Sequence, residues 1–439
     1  MIPELELIEN HDQSIRLPHQ INVPVSKRVL SLVDSPQFQR LAQVSQLGLV
    51  SLVYPGGKHT RFEHSLGVYR NALLFLNRLG GIEKFNQLVT PQHCEAMLVA
   101  ALLHDLGHWP YCHLMEDMGL HSIPKHESLA VQRIRDSGLG RIITQQWNCD
   151  VELVCRLIQN SPESKAEQLL CSILSGPIDI DKLDYLYRDS LHCGVPYGMN
   201  FDSSRLIQSV CLNRASDGIA IHSKGKTAAE MMVFARYVMF NEVYWHHAVR
   251  SASAMLQKCC FLALGDEQKY FTPLQEICRE STDHNFGPML NALPGQNTEC
   301  VLFQSLFGTQ RILYKRVGEF NAGQNRQLFD AIAHQPYATI QVFNRNLAAA
   351  LSTAAGQRIS EDEVLIDAPP MGLEVQFKVE INDGQTGTPL ESVSPVVSAL
   401  ATEQFDAYVK KIRVFVHPRV SDLFAPDDVK SCLFESTQL

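Results

Sequence analysis

An imidazole stands beside a carboxylate at His104-Asp105, directly after the apolar run AMLVAALL and just before Leu106-Gly107-His108. The dipeptide means little by itself: with 17 histidines in the chain, about one His-Asp pair is expected by chance, and a second stands at His11-Asp12. Its setting carries the meaning, because the apolar run reads as a buried helix that takes both groups with it. Side chains of this kind in a core must be neutralised and hydrogen-bonded, or they cost roughly several kcal/mol. A divalent cation does this directly. Mixed imidazole and carboxylate ligation suits Zn, Fe, Mn, Ni or Co at a site that keeps a position open for chemistry. A self-satisfied ion pair in the core is the other reading of the same two residues.

Further polar residues accompany them. Upstream, RFEHSLGV puts Arg61 three residues before His64, so a cation and a ligand share one helical face. Downstream, DIDKLDYLYRDS sets Asp181, Tyr185 and Asp189 at i, i+4 and i+8, again on one face. Either stripe could be a solvated helix surface. Together, each beside apolar sequence, they point to a polar cavity inside a helical bundle, where facing helices build metal sites.

The elements that must position these groups read as mainly helical from residue 26 to 263, with apolar residues recurring at three and four spacing. The first clear helix is expected after Asp34-Ser35-Pro36, where a capping side chain precedes a proline at the first helical position. Ser216-Asp217-Gly218 beside Ile219-Ala220-Ile221 signals a short extended pair near 218–222. Beyond about residue 300 the texture becomes mixed, with strands expected at 311–317, 363–367, 374–381 and 412–416 and helices near 325–333 and 340–351. The stretch 383–395, rich in Gly, Thr, Ser and Pro, reads as a mobile loop. The expected architecture is mainly α: a helical catalytic core with an N-terminal extension over 1–299, and a smaller α+β subdomain over 300–439.

Composition narrows the partners. The 439 residues are 45% hydrophobic and 19% charged, an ordinary folded composition. A formal charge of −9 provides no global basic field, so nucleic acid is a poor partner, whereas a local Arg/Lys/His pocket can still bind a small phosphorylated molecule. The start, MIPELELIENHD, lacks a signal-peptide pattern, and the longest clean apolar run, 96–103, is far too short to span a bilayer. A cytoplasmic protein that uses no membrane is the expectation. The 12 cysteines contain no CxxC pair and read as reduced core thiols.

The pattern H…HD…D formed by His64, His104-Asp105 and Asp181 resembles the HD-domain phosphohydrolases, and within them the deoxynucleoside triphosphate triphosphohydrolases. The likeness runs from about residue 34 to 263 through DSPQFQRLAQVSQLG, HTRFEHSLGV, HDLGH and DIDKLDYLYRDS. It implies that His64, His104, Asp105 and Asp181 hold one divalent transition metal, with Mg accompanying the triphosphate. Arg61 and Lys182 would then hold phosphate oxygens, and His108, His113 and His126 would surround the α-phosphate. One of these histidines would protonate the leaving 5′-oxygen, oriented by Glu116 or Glu127. Gln46, Leu47, Tyr185 and Asp189 match positions that read the deoxyribose, while Arg236 and Tyr244, eight residues apart on one face, line the nucleotide.

The implied reaction is hydrolysis of a deoxynucleoside triphosphate to deoxynucleoside and tripolyphosphate. An HD phosphatase or phosphodiesterase for another nucleotide, or a nucleotide-binding regulator without turnover, is the alternative. The resemblance also implies a homo-oligomer, a dimer or tetramer, with a nucleotide activator at subunit contacts. Of the activator residues in the family, Asp34, Gln39 and Arg413 are present here, but Ala42 occupies an arginine position, so regulation by GTP is expected to be weak, absent or replaced by another nucleotide.

Overall fold

The computed structural model describes residues 2–8, 13–263, 267–293, 301–370, 379–384, 387–401 and 409–437. The pair His11-Asp12 and most of the strand expected at 374–381 lie outside them. The fold is mainly helical with small sheets, and it forms two compact units that interleave along the chain. The first comprises 1–110, 125–239 and 376–399; the second comprises 111–124, 240–375 and 400–439.

The helices used below are α1 (Lys27–Val33), α2 (Arg61–Gly80), α3 (Pro91–Leu103), α4 (His126–Asp136), α5 (Val151–Ile158), α6 (Lys165–Ser175), α7 (Ile180–Cys193), α8 (Lys226–Met239), α9 (His247–Ala263), α10 (Tyr337–Ala355) and α11 (Pro426–Ser436). The strands are β1 (Ser14–Leu17), β2 (Ile21–Pro24), β3 (Val210–Leu212), β4 (Ile219–His222), β5 (Lys315–Phe320), β6 (Val364–Asp367), β7 (Glu380–Asn382), β8 (Gly387–Pro389) and β9 (Ile412–Val416).

In the first unit α2 packs against both α3 and α7, and α5 packs on α3. Residues 96–103 of α3 are all fully buried, as a helix apolar on every side must be. Its start is set by Thr90, which forms a capping box with His93 ahead of Pro91. At the other end of the chemistry, α7 begins at Asp179, whose side chain accepts from the Lys182 amide, and ends at Gly194 in the left-handed region. The sheet of this unit runs β3-β4-β7-β8, with β3 and β4 forming the expected extended pair.

Three local expectations are corrected. Ser26 already starts a helix at α1, so the helix after Asp34-Ser35-Pro36 is not the first, although Ser35 does cap it, Pro36–Gln39, by accepting from the Phe38 amide. The hydroxyl of Ser35 sits where the cap oxygen is required, whereas Asp34 closes the preceding helix. The stretch 383–395 is not a loop throughout: β8 pairs with β7, and a helical turn Leu390–Val393 follows. The strand expected at 311–317 lies later, at β5.

In the second unit β9 is the central strand between β5 and β6, antiparallel to both and buried at every residue. Leu347 and Leu351 of α10 and Leu433 of α11 join Val414 and Val416 in its core. Arg413 is therefore not a solvated side chain on an exposed strand; it is 4% exposed, and its Nε donates to Glu319 Oε2 at 2.9 Å. Lys411 Nζ donates to the other Glu319 oxygen, also at 2.9 Å. Burial raises the Glu319 carboxyl, but these two cations prevail and hold it at about 2 against an ordinary 4.5.

A depressed carboxyl contributes stability above its unfolded value and loses it as pH falls through the folded one. Glu319→Gln is thus expected to cost about 2 kcal/mol at pH 7 after solvent screening, and the gap to the wild type should close as pH drops from 4.5 towards 2. Urea midpoints of both proteins at pH 7 and pH 3 would check this. A gap independent of pH contradicts the ion-pair account.

All cysteines among the described residues are free thiols, most of them buried. No helix among the described residues is long and apolar enough to cross a membrane.

Candidate metal centre

Three helix termini of the first unit converge. His64 lies in the first turn of α2, Asp181 in the first turn of α7, and His104 and Asp105 lie at and just beyond the end of α3. The His-Asp pair is thus not inside a helix, as the apolar run suggests. His104 is the cap residue, which frees the Asp105 side chain to turn back towards α2. His64 Nε2 is 3.0 Å from Asp181 Oδ1 and 3.9 Å from Asp105 Oδ2. His104 Nε2 is 3.3 Å from Asp105 Oδ1 and 3.9 Å from Asp181 Oδ1. One ligand atom each from His64, His104 and Asp105 fits within 4.8 Å.

The hydrogen bonds behind these rings fix which nitrogen faces inward. His104 Nδ1 donates to the Ala101 carbonyl at 2.9 Å, so its Nε2 presents a lone pair, and that buried atom has no hydrogen bond. His64 Nδ1 donates to Asp184 at 2.9 Å, which turns its Nε2 to Asp181. Burial opposes charge on His64, yet Asp181, Asp184 and Asp105 together lift its imidazole to about 10. Burial likewise raises Asp105, but His108, His104 and Arg61 hold it well below the carboxylate range. The field at this point favours positive charge. Two inward imidazoles, two carboxylates and an unsatisfied His104 Nε2 form a donor set that fits a divalent transition metal.

Behind His64 the chain of contacts continues through residues that sequence reasoning missed. Asp184 accepts from Arg188 with both oxygens, at 2.8 and 2.6 Å, and Arg188 also donates to Glu63 at 2.6 Å. Glu63 accepts from His192 at 3.0 Å, and the His192 ring stacks at 4.4 Å on His59. His59 in turn bonds Asp189 Oδ1 at 2.8 Å. Gly67 makes room for this array: a Cβ there would collide with Asp184 Oδ1 and Arg188 Nη2. The signal was present in DIDKLDYLYRDS, where Asp184 and Arg188 stand at i and i+4, a spacing shared with ordinary surface pairs.

The other predicted residues divide. Arg61 Nη1 donates to Asp105 Oδ2 at 2.8 Å, so it does lie at the centre, while its buried Nε has no partner. Lys182 Nζ is 2.6 Å from the buried Asp179, which burial and the Asp181 charge raise to about 6 despite Lys182. The Gln46 backbone N–H donates to the His59 carbonyl at 2.9 Å, next to the His59–Asp189 bond, and its buried side-chain Oε1 lacks a partner. Leu47 lies beside Gly57 in the same segment. Tyr185 is on the α7 face of Asp181, near the Arg236 and Lys182 charges.

The rings of His108 and His126 lie 4.0 Å apart, with Glu127 at 3.4 Å from His126. Burial, then the Arg61 charge, pushes the His108 imidazole well below its ordinary value. His113 and Glu116 pair with each other at 3.4 Å in the second unit. Arg236 and Tyr244 do not share one regular helical face: α8 ends at Met239, and a π-helical turn, Phe240–Tyr244, changes the period between them.

Fold and site together define a helical protein with a His/Asp metal-type centre. The HD domain matches residues 61–189, and the HD associated region matches 201–431, more than half of the chain. The chain belongs to the HD-domain phosphohydrolase family and carries the HD associated region behind its HD domain. HD domains bind divalent metals, and the His/Asp cluster is where this chain can hold one.

An uncharacterised protein of Methanocaldococcus jannaschii is 35% identical over 239 residues, covering 54% of this chain and 47% of that one. The deoxynucleoside triphosphate triphosphohydrolase SAMHD1 of Danio rerio is 27% identical over 341 residues, covering 68% of this chain and 54% of that one. The chain thus spans about half the length of the curated relatives it matches. The crystal structure of a hypothetical protein from Aquifex aeolicus superposes with a TM-score of 0.71 at 26% identity, covering 96% of this chain and 99% of that one.

Proposed function

We propose that the chain hydrolyses deoxynucleoside triphosphates to deoxynucleoside and tripolyphosphate, with one divalent transition metal held by His64, His104, Asp105 and Asp181. The observation that carries this reading is the convergence of two inward-facing imidazoles and two carboxylates inside an HD domain, with His104 Nε2 buried and unbonded. The name of the Danio rerio relative supports the substrate class. When bound, the cation would supply Lewis acidity towards the α-phosphoryl oxygen and activate water.

The chain's own residues do the rest. Arg61 offers its unspent Nε to a phosphate oxygen, and Lys182 adds a point charge beside it. An imidazole of the adjacent His108–His126 pair donates the proton to the leaving 5′-oxygen. Gln46 and Asp189, the latter held by His59, reach the 3′-hydroxyl, Asp189 accepting its proton, while Leu47 and Tyr185 crowd a 2′-hydroxyl.

Incubating metal-loaded protein with all dNTPs and rNTPs, and separating the products by ion exchange, tests the reading. Nucleoside and tripolyphosphate should appear from dNTPs, with ATP turned over more slowly than dATP. Dideoxynucleotides should react about a hundredfold more slowly or worse, because the polar groups that meet the 3′-hydroxyl are left unpaired. Release of orthophosphate, or equal turnover of ATP and dATP, would replace this reading with that of another HD phosphatase. The same reading makes the protein a cytoplasmic homo-oligomer, a dimer or tetramer. With Ala42 in the activator segment and Arg413 already bonded to Glu319, GTP should activate it weakly. Light scattering and turnover with and without GTP check both points.

A further inference from the structure

We propose that a cavity on the other side of α7 from the His/Asp cluster binds a small organic anion, a molecule with one phosphate or carboxylate group on an apolar or aromatic body. This goes beyond the hydrolytic reading and does not depend on it. The cavity, about 270 Å³, lies within the first unit between α2, α7 and the short segments that follow α7. Leu74, Leu183, Phe201 and Ile207 form the apolar part of its wall, Asn71, Ser203 and Ser204 a polar part, and Arg70 supplies a guanidinium. On α7, Asp181, Tyr185 and Asp189 share the face used by the metal centre, whereas Leu183, Tyr187 and Arg188 line this cavity. A triphosphate held at the cluster does not fill it.

Charge selects the occupant. Arg188 is neutralised by Asp184 and Glu63. Arg70 forms no hydrogen bond or ion pair with any described residue, and Asp184, the carboxylate nearest to it in effect, is already shared between His64 and Arg188. Burial first, and then the Arg188 charge, disfavours the Arg70 guanidinium in spite of Asp184. A partly buried guanidinium beside a second guanidinium is stabilised by an anion, which it can grip through two parallel hydrogen bonds. The volume, just under the roughly 300 Å³ at which drug-sized ligand pockets begin, suits one ring with one anionic group better than a nucleotide. Asp184 is a wall of this cavity and also the acceptor of His64 Nδ1, so an occupant would touch the residue that orients a candidate metal ligand.

Calorimetric titration of the full chain with phenyl phosphate, benzoate and inorganic phosphate, in the presence and absence of EDTA, tests the proposal. Phenyl phosphate or benzoate should bind at one equivalent regardless of EDTA. Binding should weaken by about tenfold or more in Arg70→Gln and recover in part in Arg70→Lys. Which of the two aromatic probes binds identifies the anionic group. Leu74→Phe, which narrows the cavity and leaves the charge in place, should exclude both aromatic probes and so keeps the test open if Arg70→Gln does not fold. The proposal is overturned if no probe saturates, if only inorganic phosphate binds, or if Arg70→Gln binds as tightly as the wild type. It is equally overturned if Arg70→Gln changes the oligomer size in light scattering, since a carboxylate from a second copy would then be the occupant.

Discussion

Asp181→Asn and His104→Ala are each expected to remove bound transition metal and turnover together, with rates falling by roughly a thousandfold or more. The reason lies in how few donors converge. Asp105 already spends one oxygen on Arg61 at 2.8 Å, and its other oxygen is 3.1 Å from His108, so it cannot make up for a lost neighbour. His64 is committed by its Nδ1 to Asp184 and can offer only Nε2. Loss of one ligand from such a set leaves three donors and an uncompensated buried charge. Elemental analysis of each purified variant, alongside dNTP turnover, provides the check. Full metal content with full turnover in either variant would remove these residues from the site.

Arg188→Met is expected to destabilise the first unit by about 3–5 kcal/mol, the cost of leaving a buried carboxylate without its partner. Arg188 and Asp184 are 1% and 6% exposed in their side chains, and Glu63 is also largely covered. Burial raises Asp184, but Arg188 and His64 keep it ionised, at about 2. Without Arg188 the Asp184 charge must be protonated or hydrated inside the bundle, and either change disturbs the bond that aims His64. Guanidinium unfolding should therefore show a lower midpoint, and metal affinity should fall by about tenfold to a hundredfold. Because the two residues share one network, Arg188→Met combined with Asp184→Asn should cost less than the sum of the single changes. A midpoint that moves by less than the equivalent of about 1 kcal/mol would mean that the pair is better solvated than its geometry implies.

Legibility of the site in the sequence follows from how local each cause is. His64, His104-Asp105 and Asp181 were readable because each adjoins apolar sequence, and the terminus that carries Asp181 depends on a nearby signal, the capping side chain of Asp179. What the sequence hid was the direction of side chains. Asp184 and Arg188 have the spacing of a surface ion pair, and only the absence of a Cβ at Gly67, more than a hundred positions earlier, lets them sink against α2. Arg413 shows the same limit in the second unit, because its burial depends on β9 having a strand on each side, and nothing within IRVFV says so. The strand β8 within 383–395, paired with β7 just before that stretch, was masked by Gly, Thr and Pro, which mark turns but also tolerate short edge strands. The π-helical turn at Phe240–Tyr244 broke a face drawn on the assumption of a constant period.

The parallel pairing of Ile221 with Ile381 and of His222 with Asn382 has a consequence for how the chain is made. As the polypeptide leaves the ribosome, β4 emerges early, but its second neighbour follows only after the long stretch 240–375, which belongs to the other unit. Throughout that interval one side of β4 presents unpaired backbone groups, the kind of edge on which chains aggregate. The entropic cost of closing so long a loop grows only slowly with its length, but the reward of the contact is delayed. The helices of the first unit can therefore assemble during synthesis, while its sheet must wait for nearly the whole chain.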